Sequence, residues 1–272
     1  MKTARLIALL LLAAAVSQAA TNVVSSANVV GYIQVVDPAS NRYVLISAPF
    51  NSGTGTVSTL VDILGTNQLR RASFAIQCDQ IIMWDTVQQK YVRYAQKTNG
   101  NFYYTTNFGS SAQSVNPTVT RGQALWLLAP SATYAPTSRV IYISGNVPND
   151  GAYTNPVVGN SGKPLNFMAN PYPVEVDLNN LINTNDGAKG SSFAVSADKI
   201  KLWDDASQQY VNLALKLNPS VPSVNNKWLF ATNFGSTVTS APSIMITPGQ
   251  GFWYQTTNAF TWVETKTYNL QQ

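Results

Sequence analysis

Two stretches of this chain are copies of one another, and this limits the fold more than any other feature. Residues 73–92 read SFAIQCDQIIMWDTVQQKYV and residues 192–211 read SFAVSADKIKLWDDASQQYV, identical at ten of twenty positions without a gap. The likeness continues in the same order on both sides. SAPF at 47–50 answers ANPY at 169–172, TTNFGS at 105–110 answers ATNFGS at 231–236, and GQALW at 122–126 answers GQGFW at 249–253. The offset drifts while the order holds, so loops differ and elements persist. A period of about 120 residues has the size of a domain, not of a solenoid repeat. We therefore expect two tandem modules, residues 20–148 and 149–272. Residues 145–163, rich in Gly, Pro, Asn and Asp, are read as turns and linker between them.

Local patterns within each copy are mostly strands. Residues 43–46 and 139–143 are short β-branched or aromatic runs bounded by turn residues. Residues 81–84 and 90–94 form a hairpin around 85–89, and its copy is 200–203 and 210–213 around 204–207. Pro248 and Gly249 set a tight turn into Phe252, Trp253 and Tyr254. Asn107-Phe108-Gly109-Ser110 and its copy suit a turn with glycine at positive φ. One helical signal stands in each copy. Val57, Leu60, Val61 and Leu64 recur at helical spacing, with Thr56 as N-cap and Gly65 as stop, and Val176, Leu178, Leu181 and Ile182 answer them. The expected fold is mainly β: two tandem homologous β-sandwich-like or partly open barrel modules, each with one short helix.

The N-terminus reads as an export leader. Lys2 and Arg5 precede an apolar run from Leu6 to Val16, and Ser17-Gln18-Ala19 supplies the small-x-small cleavage pattern, with residues 1–19 as signal peptide. The run is too short to span a bilayer, and no later stretch reaches that length, so no transmembrane segment is expected after signal removal. Losing Lys2 and Arg5 takes the formal net charge from +5 to +3. With no basic cluster beyond Arg70-Arg71, no nucleic-acid partner is expected. The single cysteine, Cys78, cannot form an internal disulfide and is read as a small packing residue.

Composition narrows the chemistry. The chain has no histidine, the side chain most used in general acid–base work, and 12 carboxylates supply all its acid. It lacks G-x-S-x-G, S-x-x-K, P-loop and G-x-G-x-x-G motifs, and a Cys/His zinc site needs a second thiol or an imidazole. Asp79 matches Asp198 and Asp85 matches Asp204 across the repeat; they are read as turn caps rather than a catalytic pair. We expect no catalytic, metal or cofactor-binding residues. The shared aromatics Trp84/Trp203, Tyr91/Tyr210, Phe108/Phe234 and Trp126/Trp253 are read as core. Tyr103, Tyr104, Tyr134, Trp228 and Trp262, read as unpaired aromatics, are the candidates for a surface platform that stacks on glycans.

The motifs also carry a resemblance. The start Ala27-Asn28-Val29-Val30-Gly31-Tyr32, the Ala48-Pro49-Phe50 and Asn170-Pro171-Tyr172 pair, and Pro248-Gly249-Gln250-Gly251-Phe252-Trp253 resemble secreted tandem β-module proteins of verrucomicrobial and related bacteria. The first copy departs from that pattern, since Thr120-Arg121-Gly122-Gln123-Ala124 lacks the Pro and the second Gly. The resemblance implies export and β modules and brings no catalytic residues to carry over. The function expected is that of an exported, non-catalytic structural or adhesive protein of the cell envelope or extracellular matrix, in the periplasm, at the cell surface or outside the cell. Its partners would be itself or envelope components. The alternative is a carbohydrate-binding protein that stacks exposed aromatics on polysaccharide.

Overall fold

In the computed structural model, the described residues are 29–52, 55–235 and 237–270, and Val29–Leu270 belongs to one compact unit. The expected signal peptide lies outside them. The first copy runs β1 (Val30–Asp37), β2 (Tyr43–Ser47), β3 (Val57–Thr59), helix α1 (Leu60–Leu64), β4 (Gln80–Asp85), β5 (Lys90–Gln96), β6 (Phe102–Tyr104), β7 (Thr118–Thr120), β8 (Ala124–Leu128) and β9 (Arg139–Asn146). The second runs β10 (Ala152–Val157), β11 (Leu165–Ala169), β12 (Val176–Asp177), helix α2 (Leu178–Leu181), β13 (Lys199–Asp204), β14 (Gln209–Lys216), β15 (Lys227–Phe230), β16 (Met245–Ile246), β17 (Gly251–Gln255) and β18 (Phe260–Thr265).

The two topologies coincide strand for strand. A five-stranded antiparallel sheet in the order β2-β8-β4-β5-β6 corresponds to β11-β17-β13-β14-β15. The ribbon β1-β9 corresponds to β10-β18, and the short pair β3-β7 to β12-β16. The chain is thus mainly β and sandwich-like, with no closed barrel among the described residues.

Each five-stranded sheet is apolar on both faces. Along β8, Leu125 and Leu127 join Ile46, Ile81, Ile141 and Ile143 in a core beneath the β1-β9 ribbon. Ala124 and Trp126, alternating with them, point the other way and meet Phe167, Ala169 and Trp253 of the second copy. In β17, Phe252 and Tyr254 enter the second copy's own core with Trp228 and Trp262, whereas Trp253 faces the joint. Period-two alternation with both faces buried produces an unbroken apolar run such as Ala124-Leu125-Trp126-Leu127-Leu128. The result is four layers, ribbon–sheet–sheet–ribbon, with the two sheets face to face in the middle.

Several local expectations are corrected. Helix α1 starts three residues later than the spacing predicts. Thr59, not Thr56, is its N-cap, in a capping box where the Thr59 hydroxyl accepts from Asp62 N and the Asp62 carboxylate accepts from Thr59 N. Those backbone and hydroxyl bonds hold the Asp62 carboxyl below its usual range. Val57 is half exposed in β3, so only its spacing was helical. The predicted linker contains strand β10, which pairs along its whole length with β18. Its Pro156 is tolerated because a two-stranded ribbon leaves one backbone edge unpaired. Gly109 does not have positive φ; the glycines that do include Gly122 and Gly249, at the turns into β8 and β17. There Gln123 N donates to Thr120 O (2.9 Å) and Gln250 N to Thr247 O (3.0 Å), with glycine third in each turn. No helix among the described residues is long and apolar enough to cross a membrane.

Candidate functional site

The joint between the sheets is built from aromatics that the two copies share, and they cross over. Trp84 and Tyr91, from the β4-β5 hairpin, lie edge-on to Trp253 of the second copy, with ring centroids 5.0 and 6.1 Å away. Trp203 and Tyr210, from β13-β14, lie edge-on to Trp126 of the first copy at 5.0 and 6.2 Å. Interplanar angles of 75–87° in these four contacts are the favoured edge-to-face geometry, so each indole also serves as a ledge for the next.

A polar clasp follows the same symmetry. The Gln89 side chain accepts from Leu165 N (2.9 Å) and donates to Leu165 O (3.2 Å), and the Trp84 indole donates to the same carbonyl (2.9 Å). In return, the Gln208 side chain accepts from Tyr43 N (2.7 Å) and donates to Tyr43 O (2.9 Å), with the Trp203 indole on that carbonyl (3.2 Å). Leu165 and Tyr43 open β11 and β2, the outer strands of their sheets. Each hairpin tip therefore satisfies backbone groups that the partner sheet leaves unpaired.

The symmetry breaks in its side chains, and the breaks leave space on one side. Phe167 stacks on Trp253 (4.1 Å, 11°), whereas the first copy has Leu45 there. Beside Trp126 a pocket of about 240 Å³ opens, walled by Tyr43, Trp126, Trp203 and Tyr210, floored by Ile82, with the exposed Tyr91 and Arg93 at its mouth. Trp203 and the Tyr43 strand separate it from a cleft of about 620 Å³, bounded by Gln34, Arg42, Ser138, Asp205 and Gln250. The equivalent cleft on the other side measures about 380 Å³. Arg121 lines that cleft, fully buried over the rings of Tyr153 and Tyr172 (4.8 and 5.2 Å) and paired with Asp150. Pro248 holds the matching turn position at the larger cleft.

The platform expected from the sequence does not assemble. Trp228 and Trp262 are fully buried in the second core, and their indoles donate to Ile182 O (2.7 Å) and Leu181 O (2.9 Å). Neither offers a ring face to a ligand: both fill the volume between sheet, ribbon and α2. Tyr103 is also buried, its hydroxyl bound by Asn99 (3.0 Å) and its ring beneath the Lys97 ammonium (4.1 Å). Tyr104 and Tyr134 are exposed but stand on a strand and a distant loop. The shared aromatics, read as each copy's core, are instead the joint between copies, except Phe108 and Phe234. These two lie under Lys97 and Lys216.

The carboxylates are held by structural partners. Asp79 accepts from Arg70 N (2.6 Å) and Asp198 from Lys189 N (2.6 Å), the same backbone clasp in both copies. Asp85 caps Val87 N and Gln88 N, and Asp204 caps Ala206 N. Buried Asp37 and Asp79 share Arg70 and Arg139. Burial and the neighbouring Asp79 push the Asp37 carboxyl up. Burial, reinforced by Asp186, pushes Glu264 up to about 8. The Cys78 thiol is buried, and that burial lifts it to about 11, as befits a packing residue. Among the described residues no three of Asp, Glu and Cys gather to hold a metal ion.

Comparison with family models, curated proteins and solved structures returns no match for this chain. The functional reading therefore rests on its own residues. Sequence reasoning overlooked Tyr43 and Arg93. The unbroken apolar runs at 124–128 and 251–254 were the signal that both sheet faces are covered.

Proposed function

We propose that the protein is an exported, non-catalytic structural or adhesive component of the cell envelope or extracellular matrix. The observation that carries this reading is a pair of apolar tips which the repeat keeps and the fold leaves bare. In the first copy Phe74 and Ile76 are 66% and 70% exposed; in the second, Phe193 and Val195 are 70% and 73% exposed. Both tips belong to the matching S-F-A-[IV] motif. Leaving a side chain of this size in water forgoes about 1.5–3 kcal/mol relative to burial. Shared apolar pairs such as Ile81/Ile200 and Trp126/Trp253 are buried in a core or the joint, so these bare tips call for a covering surface outside the chain. The outward face of the β1-β9 ribbon adds Tyr32, Val36 and Tyr142, also exposed. Support for export comes from the leader-like residues 1–19.

The test is retention. The full chain, expressed with its leader, is expected in the envelope or matrix fraction. A Phe74→Ser/Phe193→Ser variant is expected in the medium, with an unchanged thermal midpoint. A variant retained as well as the original would overturn the reading.

A further inference from the structure

We propose that the aromatic pocket at the joint binds an acidic sugar unit of a polysaccharide, with its ring against Trp203 and Tyr210 and its carboxylate on Arg93. This deepens the adhesive reading by naming a partner chemistry at residues other than the apolar tips.

Three observations converge on it. The first is shape: the pocket of about 240 Å³ lies where Trp203 and Tyr210 of the second copy meet Tyr43 and Trp126 of the first. Its walls are π faces and edges, which take the C–H surface of a sugar ring by apolar contact. Its mouth carries phenols: Tyr91 is 48% and Tyr210 37% exposed. The Tyr210 oxygen accepts from the Trp253 indole (3.0 Å), leaving its own proton to donate to a ligand hydroxyl.

The second is charge. Arg93 is exposed at the mouth and forms no ion pair with any described residue, while all five of the other described arginines bond carboxylates or carbonyls of their neighbours. No carboxylate lines this pocket. A free guanidinium above an aromatic, carboxylate-free pocket selects an anion over a cation, and its fork matches a carboxylate. The second copy has Asn212 at the equivalent position, so the fold does not require Arg93.

The third is continuity. Trp203 and Tyr43 separate the pocket from the larger cleft, where Gln34, Ser138 and Gln250 present amides and a hydroxyl and Asp205 stands beside Arg42. Amides and hydroxyls suit a neutral sugar, and Asp205 disfavours a second acidic unit there. A chain alternating acidic and neutral sugars fits the pair of sites.

The test uses purified residues 20–272 and hyaluronan oligosaccharides, which alternate a uronate with a neutral amino sugar. Titration is followed by tryptophan fluorescence and by calorimetry. Saturable binding is expected, weakened about tenfold to a hundredfold both by Arg93→Asn and by methyl-esterifying the sugar carboxylates. Arg93→Asn should leave the thermal midpoint unchanged, since it installs the second copy's residue. No binding by the original chain, or equal binding by the variant or by the ester, would overturn the proposal. The tip variant Phe74→Ser/Phe193→Ser should bind the oligosaccharide normally, which separates this site from envelope retention.

Discussion

Ala124 and Gly251 hold the same position in the two copies and face each other across the joint. A Cβ placed on Gly251 would lie 2.4 Å from the Ala124 Cβ and 3.2 Å from Leu45 Cγ. Two alanines cannot occupy this contact, so the repeat diverges here for a packing reason. The missing second glycine of the first copy and the extra one of the second are two halves of one fit.

Gly251→Ala is expected to destabilise the chain by about 1–3 kcal/mol through overpacking. Adding Ala124→Gly should restore most of that loss. Urea midpoints of the two variants check this; a neutral Gly251→Ala, or no recovery in the double variant, would contradict the contact.

Gln208 makes a second test, because its backbone is strained where its side chain is useful. It sits at φ +55°, as its counterpart Gln89 sits at φ +51°. Gln208→Ala loses the two bonds to Tyr43 and keeps the strain, at an expected cost of about 1–2 kcal/mol. Gln208→Gly loses the same bonds but relieves the left-handed backbone, recovering about 1 kcal/mol. Thermal midpoints should therefore fall in the order original, Gly variant, Ala variant, and an Ala variant above the Gly variant would refute the account.

Stability should fall as the pH rises from about 5 to 8. Glu264 titrates near 4.5 when unfolded and about 8 in the fold, because burial, and then Asp186, disfavour its charge. Between those values the unfolded chain has released a proton that the native state still holds, so raising the pH favours unfolding. Asp37, raised from 3.8 to about 7, acts in the same direction over a lower window. Glu264→Gln is expected to flatten the slope between pH 5 and 8 by on the order of a few kcal/mol. Denaturation midpoints at pH 5, 6.5 and 8 decide it; an original chain most stable at pH 8 would count against these burials.

Much of the fold was legible because its signals are local. The hairpin strands β4-β5 and β13-β14 alternate or run apolar between Asp-capped turns, and Pro248-Gly249 marks its turn by φ alone. The strand β10 escaped notice because Asn155 and Pro156 weaken its propensity, and only its long-range pairing with β18 makes it a strand. Burial was harder to read than type. Trp228 answers Phe102 of the first copy, and both are buried in their own cores, while Trp262 is buried with no aromatic counterpart; Phe74 and Phe193 are shared yet lie in water. A repeat records which residues recur, and packing between copies decides which face water. The pocket was illegible for that reason: it forms where Trp203 and Tyr210 of the second copy meet Tyr43 and Trp126 of the first across the two sheets, a relation with no footprint in neighbouring sequence.

The central structural claim is that the shared aromatics make one unit of the two copies. Equilibrium urea unfolding of residues 20–272, followed together by tryptophan fluorescence and far-UV circular dichroism, tests it most directly. With four of the six tryptophans at the joint and two in the second core, one coincident transition is expected in both signals. Two separated transitions, with the joint tryptophans exposed before the sheets are lost, would contradict it.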